Sequence, residues 1–146
     1  MPGPDDPNWP PVVLAAHAGH GAVVTVLLEH NGDVNDEQRP DGATPLYWAA
    51  QQDKADLVKL LLEHNADPSK GLKTLDGYVG TTPLYWAANK GFAETAAVLL
   101  EHGANPNQAA ADDGEPPING VARKGRTAVA KMLVAHKADP NQACTD

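Results

Sequence analysis

The chain has 146 residues, of which 42% are hydrophobic and 21% are charged, a composition typical of a folded globular domain. Its formal net charge of −8 argues against nucleic acid and anionic membranes as partners, because both attract basic surfaces. The single cysteine, Cys144, cannot form an internal disulfide, and no signal peptide or membrane-spanning segment is visible. We therefore expect an intracellular, cytoplasmic protein.

The chain contains four copies of one unit. A shift of 38 residues places Thr82–Ala88 under Thr44–Ala50 with seven identities in a row, and shifts of 34 residues relate these copies to a first and a last one. Repetition at this period is typical of a stacked repeat protein. We predict a single domain over residues 1–141 and a C-terminal tail over 142–146. The predicted units cover about 8–35, 42–69, 80–107 and 114–141.

Each unit begins with a short helix. Thr44 and Thr82 lie where a helix N-cap belongs, and a proline follows each of them at the first helical position. This pattern predicts helices at about 45–52 and 83–90. In the outer units Pro10 and Pro116 replace the threonine, as is common in the terminal units of repeat arrays.

A tight turn then leads to a second helix with an apolar stripe, and Gly19 and Gly91 mark that turn in two units. The predicted stripes are Val23, Val26 and Leu27; Leu57, Leu60 and Leu61; Val98, Leu99 and Leu100; and Val129, Met132 and Leu133. Loops rich in Pro, Asn, Asp and Gly complete each unit, and we expect a hairpin there.

The motifs at Ala15-Ala-His-Ala-Gly-His20, Gly42-Ala-Thr-Pro-Leu46 and Gly103-Ala-Asn-Pro-Asn107 resemble those of the ankyrin repeat. The resemblance covers about 8–141. It implies an all-α ankyrin-repeat solenoid of four helix-turn-helix units with protruding β-hairpin loops. The chain departs from the family pattern where tyrosine and then tryptophan follow the Thr-Pro-Leu motif, at Tyr47, Trp48, Tyr85 and Trp86.

The resemblance implies a non-catalytic module that binds a protein or peptide on the concave face of hairpins and first helices. We expect this module to be a monomer. We expect no enzyme activity and no cofactor, because Ser69 and Cys144 have no histidine and carboxylate at a recognisable spacing. A self-associating scaffold, weakly joined through the C-terminal face, is one alternative. An engineered or reconstructed binder is another.

Four histidines recur at one position of the unit: His30, His64, His102 and His136. Stacked helices lie about 8–10 Å apart, whereas Zn–N bonds are about 2 Å long, so residues repeated once per layer cannot easily share a metal ion. We therefore expect no metal site, and we expect each histidine to hydrogen-bond the turn that follows the second helix.

The tryptophans at equivalent positions allow two interpretations. Trp48 and Trp86 either fill the space between units or form an aromatic surface for a partner, including a caged methylated lysine as in some ankyrin domains. Gly120, at the same position of the fourth unit, offers no side chain to Trp86. The long loop at 69–81 adds Tyr78, and the first-helix ends become basic toward the C-terminus. The predicted partner-binding residues are Arg39, Asp41, Tyr47, Trp48, Gln51, Tyr78, Tyr85, Trp86, Asn89, Lys90, Asp113 and Arg123.

Overall fold

The computed structural model describes residues 8–38, 41–73, 80–110 and 114–144, and these ranges form eight helices in four pairs. The helices are α1 (Pro11–His17), α2 (Gly21–Glu29), α3 (Pro45–Gln51), α4 (Ala55–Glu63), α5 (Pro83–Lys90), α6 (Ala93–Glu101), α7 (Pro117–Arg123) and α8 (Thr127–Ala135). Each pair forms one unit, and helices of adjacent units pack against each other. The predicted all-α solenoid is confirmed. No described helix has both the length and the apolar character that a bilayer span requires.

The predicted N-caps are present. The Oγ1 of Thr44 accepts a hydrogen bond from the backbone N–H of Tyr47 at 3.2 Å, and the Oγ1 of Thr82 accepts one from Tyr85 at 3.1 Å. These bonds satisfy backbone donors that a helix start leaves unpaired. The outer units begin at Pro10 and Pro116, without a side-chain cap.

The turn between the two helices of a unit requires a left-handed residue. Gly19 and Gly91 have φ of 74° and 83°, as their predicted turns require. In the second unit Asp53 adopts φ 56°, and its Oδ1 accepts a 2.7 Å bond from the hydroxyl of Thr95. Thr95 is fully buried in α6, so the carboxylate of one unit satisfies a polar group in the core of the next.

The apolar stripe of the second helices is confirmed in the inner units, where Leu61 and Leu99 are fully buried. The prediction for the first unit is wrong at two positions. Val24 is the buried residue of α2, whereas Val23 and Val26 are exposed. No unit precedes the first one within the described residues, so no neighbouring unit covers the side of α2 that carries these two valines.

The loop between the second and third units is closed at its base like a hairpin. Leu72 donates its backbone N–H to the carbonyl of Thr81 at 3.2 Å, and Gly80 donates to the carbonyl of Leu72 at 2.7 Å. Within the described ranges this pairing does not extend into strands, so the expected hairpins are present only as isolated backbone bonds.

Asparagines join neighbouring units. The Nδ2 of Asn35 donates to the carbonyl of Asn65 at 3.2 Å, and its Oδ1 accepts the backbone N–H of Asp67 at 2.7 Å. Asn107 makes the same pair of bonds to the fourth unit. Between the second and third units the equivalent residue is Ser69, whose hydroxyl bonds Asp67 of its own unit at 2.6 Å. This middle junction lacks the side-chain bridge of the other two.

Candidate functional site

The first helices α1, α3, α5 and α7 lie side by side, so residues at equivalent positions form rows across the molecule. One row consists of Leu14, Trp48, Trp86 and Gly120. A second row, three residues further along each helix, consists of His17, Gln51, Asn89 and Arg123. We refer to the surface formed by these two rows as the first-helix face.

Five rings contact one another along this face. The Trp48 ring lies 5.6 Å from that of Trp9 and 4.7 Å from that of His17, between ring centroids. Tyr47 then connects Trp48 to Trp86, with centroid distances of 5.9 and 6.2 Å. Such aromatic pairs contribute about 0.5–1.5 kcal/mol each beyond the area they bury. We refer to these five rings as the aromatic row.

The two tryptophans are neither fully buried between units nor fully exposed on the surface. Trp48 and Trp86 are half-buried: each packs into the junction between units and keeps part of its ring accessible. The Nζ of Lys90 lies 4.9 Å from the centroid of the Trp86 ring, a cation–π distance. Trp86 therefore already carries a cation from its own chain, and Trp9 and His17 pack on Trp48. These contacts argue against an open cage for methylated lysine.

A buried carboxylate positions the basic end of the face. Glu115 lies in the loop before α7, and its Oε2 accepts a 2.8 Å hydrogen bond from the hydroxyl of Tyr85. Its Oε1 forms an ion pair with the guanidinium of Arg123, a side chain that is largely exposed. Tyr85 belongs to the third unit and Arg123 to the fourth, so the network links two units and holds Arg123 at the surface.

The acidic residues of the first loop make contacts within the molecule. Asp36 and Asp41 are buried, and each accepts a backbone N–H two residues further on. Glu37 forms ion pairs with Lys70 and Lys73 of the next loop. Within the described residues, Asp36, Glu37 and Asp41 are therefore all engaged in contacts inside the molecule.

The predicted partner-binding residues divide by accessibility. Trp48, Gln51, Trp86 and Asn89 are half-buried on the first-helix face, and Lys90 and Arg123 are exposed beside them. Asp41, Tyr47 and Tyr85 are buried, so they support the face from beneath. Arg39, Tyr78 and Asp113 lie outside the described residues. The assignment of the accessible residues to a partner stays a prediction.

The sequence interpretation missed two members of the aromatic row. Trp9 is buried just before α1 and His17 ends that helix, and each packs on the other at 5.0 Å. Trp9 is equivalent to Ala43, Thr81 and Glu115, which are all buried in front of their helices. Aligning the residue that precedes each N-cap would have indicated that Trp9 packs inward.

The repeated histidines bond backbone carbonyls, but these carbonyls lie within the second helix and not in the predicted turn that follows it. The Nδ1 of His30 lies 2.8 Å from the carbonyl oxygen of Val26, and His64, His102 and His136 make the same contact with the carbonyl four residues earlier. The carbonyl belongs to the last turn of the helix itself. Because a carbonyl oxygen can only accept, each of these nitrogens donates a hydrogen bond to the backbone. The carbonyls of Leu60, Val98 and Met132 also accept the backbone N–H of the same histidine. The described residues include no group of three or more metal-ligating side chains.

A family model for ankyrin repeats (3 copies) matches the chain twice, over residues 2–71 and 69–144. Among curated proteins, no sequence matches the chain. Ankyrin repeats are generally protein–protein interaction modules and are typically non-catalytic. Because the two matches together span nearly the whole chain and the structure is a stack of helix pairs, the chain belongs to the ankyrin-repeat family.

Proposed function

We propose that this chain binds a protein or peptide partner on the first-helix face, the concave side of an ankyrin stack. The observation that carries the proposal is the aromatic row. Its half-exposed tryptophans are held by buried neighbours, so binding would cost little side-chain ordering. Aromatic side chains in such settings dominate the energy of many protein interfaces.

The chemistry of the face favours a partner with an apolar and an acidic group close together. Trp48 and Trp86 offer ring surface, and Lys90 and Arg123 offer cations beside it. Arg123 is already oriented by Glu115, so a partner carboxylate would meet a guanidinium in a defined position. Gln51 and Asn89 supply amide groups between them. A peptide that combines an aromatic or aliphatic side chain with Asp or Glu fits this arrangement.

The experiment has two steps. Affinity capture with mass spectrometry identifies a candidate partner, and calorimetric titration then compares purified variants. Trp86→Ala should weaken binding by about 1–3 kcal/mol, the range for an interface hot spot. Arg123→Glu should also weaken it, and the predicted anchor Tyr78 is tested in the same series by Tyr78→Ala.

Lys59→Glu provides the matched control, since Lys59 is exposed on α4, a second helix outside this face. If the Lys59 variant loses affinity while the Trp86 and Arg123 variants retain it, the partner binds the outer side of the stack. That result would refute the proposed face.

We propose no catalytic activity for the chain and place it in the cytoplasm. The lone Cys144 is exposed and free, which suits a reducing compartment.

A further inference from the structure

The two outermost units carry opposite charge. The first unit, residues 8–35, contains two acidic residues, Glu29 and Asp33, and no lysine or arginine, and both carboxylates are exposed. The fourth unit, residues 114–141, contains five of the eleven basic residues and two acidic ones, Glu115 and Asp139. Four of the basic residues are exposed and make no ion pair within the described ranges: Lys124, Arg126, Lys131 and Lys137. Unlike charges at the two ends attract when the ends belong to different copies of the chain.

Both outer faces also expose apolar side chains at positions that are buried or half-buried in the inner units. On α2, Val23 and Val26 are 48% and 54% exposed, whereas Leu57, the equivalent of Val23 in the second unit, is buried. On α8, Val134 is 50% exposed, whereas its equivalent Leu100 in the third unit is buried. These positions are covered where a neighbouring unit packs against them.

The outer side of the first unit forms an apolar groove. Its volume is about 410 Å³, and Leu14, Val23 and Leu27 contribute to its lining. Inside the chain, the side of a second helix that corresponds to Val134 packs toward the following unit. A second copy stacked on the first unit would therefore bring its Val134 toward this groove and its basic side chains toward the acidic first unit.

We propose that copies of this chain associate head to tail, with the α8 side of one copy on the α2 side of the next. The contact would continue the stacking that already joins α2 to α4, α4 to α6 and α6 to α8. Such a heterologous contact leaves one α2 side and one α8 side unpaired in every open assembly, so further copies can add and the assembly grows in length unless the copies close into a ring. This inference is independent of a partner on the first-helix face.

Sedimentation velocity of the full chain tests the proposal. At low ionic strength the average mass should rise continuously with protein concentration, beyond that of a dimer. Salt should reduce the association, because it screens exposed charges. A chain that remains monomeric at every concentration overturns the proposal, and so does a defined dimer that grows no further.

Two variants identify the faces. Val26→Lys places a cation opposite the basic fourth unit, and Val134→Glu places an anion opposite the acidic first unit. Each variant alone should lose its association. An equimolar mixture should form one-to-one dimers, because the native α8 side of the Val26→Lys variant can bind the native α2 side of the Val134→Glu variant. Both valines are half exposed, so the variants should fold, which circular dichroism checks. Lys59→Glu should associate like the parent chain. If Val134→Glu alone associates as strongly as the parent, the α8 side is not used and the proposal fails.

Discussion

The carboxamide of Asn89 covers the backbone of Gly120. A β-carbon built on that glycine would lie 3.3 Å from the Oδ1 of Asn89, closer than an ordinary van der Waals contact. Gly120 occupies the row position that Trp48 and Trp86 hold in the inner units. The gap expected beside Trp86 is therefore filled, at least in part, by Asn89, a residue of the same helix as Trp86.

Gly120→Ala should stabilise the fourth unit. Alanine is favoured over glycine inside a helix by about 1 kcal/mol, and the Asn89 carboxamide ends a flexible side chain that can shift by a few tenths of an ångström. We expect the free energy of unfolding to rise by up to about 1 kcal/mol in urea titrations. The gain should be larger in an Asn89→Ala background. A loss of stability in both backgrounds would show that something other than Asn89 requires glycine here.

The inner second helices should carry most of the stability. Leu61 and Leu99 are fully buried, so Leu61→Ala and Leu99→Ala should each lower the free energy of unfolding by about 2–5 kcal/mol. Val134→Ala is the matched control, because that side chain is half exposed and its truncation leaves a smaller cavity. Equal losses at Leu99 and Val134 would contradict this order. Denaturant titration measures all three.

Hydrogen exchange should find the fourth unit opening first. α7 contains a glycine and starts without a side-chain cap, and within α8 only Val129 and Leu133 are buried. Local opening is easiest where few apolar contacts hold the backbone. Amides of α8 should therefore exchange faster than those of α4 and α6. Uniform protection across the four units would refute the argument from Gly120.

Ser69→Asn should strengthen the junction between the second and third units. By analogy with Asn35, the new side chain would donate to the carbonyl of Gly103 and accept the backbone N–H of Asn105. At about 0.5–1.5 kcal/mol for each of the two hydrogen bonds, the expected gain in unfolding free energy is about 1–3 kcal/mol. The converse change, Asn35→Ser, should cost a similar amount. If Ser69→Asn has no effect while Asn35→Ser destabilises, the longer loop of this junction prevents the bridge.

Local signals in the sequence predicted the parts of the fold that depend on neighbouring residues. The caps at Thr44 and Thr82 and the left-handed turns at Gly19 and Gly91 were predictable, because each rests on a few adjacent residues. The buried side of α2 could not be predicted in this way. Val23, Val24 and Val26 are equally apolar, and the absence of a preceding unit within the described residues decides which of them is covered.

The candidate site was predictable in position and not in accessibility. The repeat alignment placed Trp48 and Trp86 together, since equivalent residues of stacked units are neighbours. It could not show that Tyr85 is buried, because the bond that holds its hydroxyl comes from Glu115 of the next unit. Contacts across a junction depend on residues about one unit apart, which local periodicity does not reveal.

Neighbour-only packing has a mechanical consequence. Helices contact their own unit and the adjacent ones, so tension applied at the two ends passes through the units in series. The chain should therefore lengthen in steps when stretched, one unit at a time. A released unit of 34 residues adds about 110 Å of extended chain and removes about 10 Å of stack. The fourth unit, with Gly120 in its first helix, should unfold before the others. Unfolding under tension would then begin at the C-terminal end of the molecule.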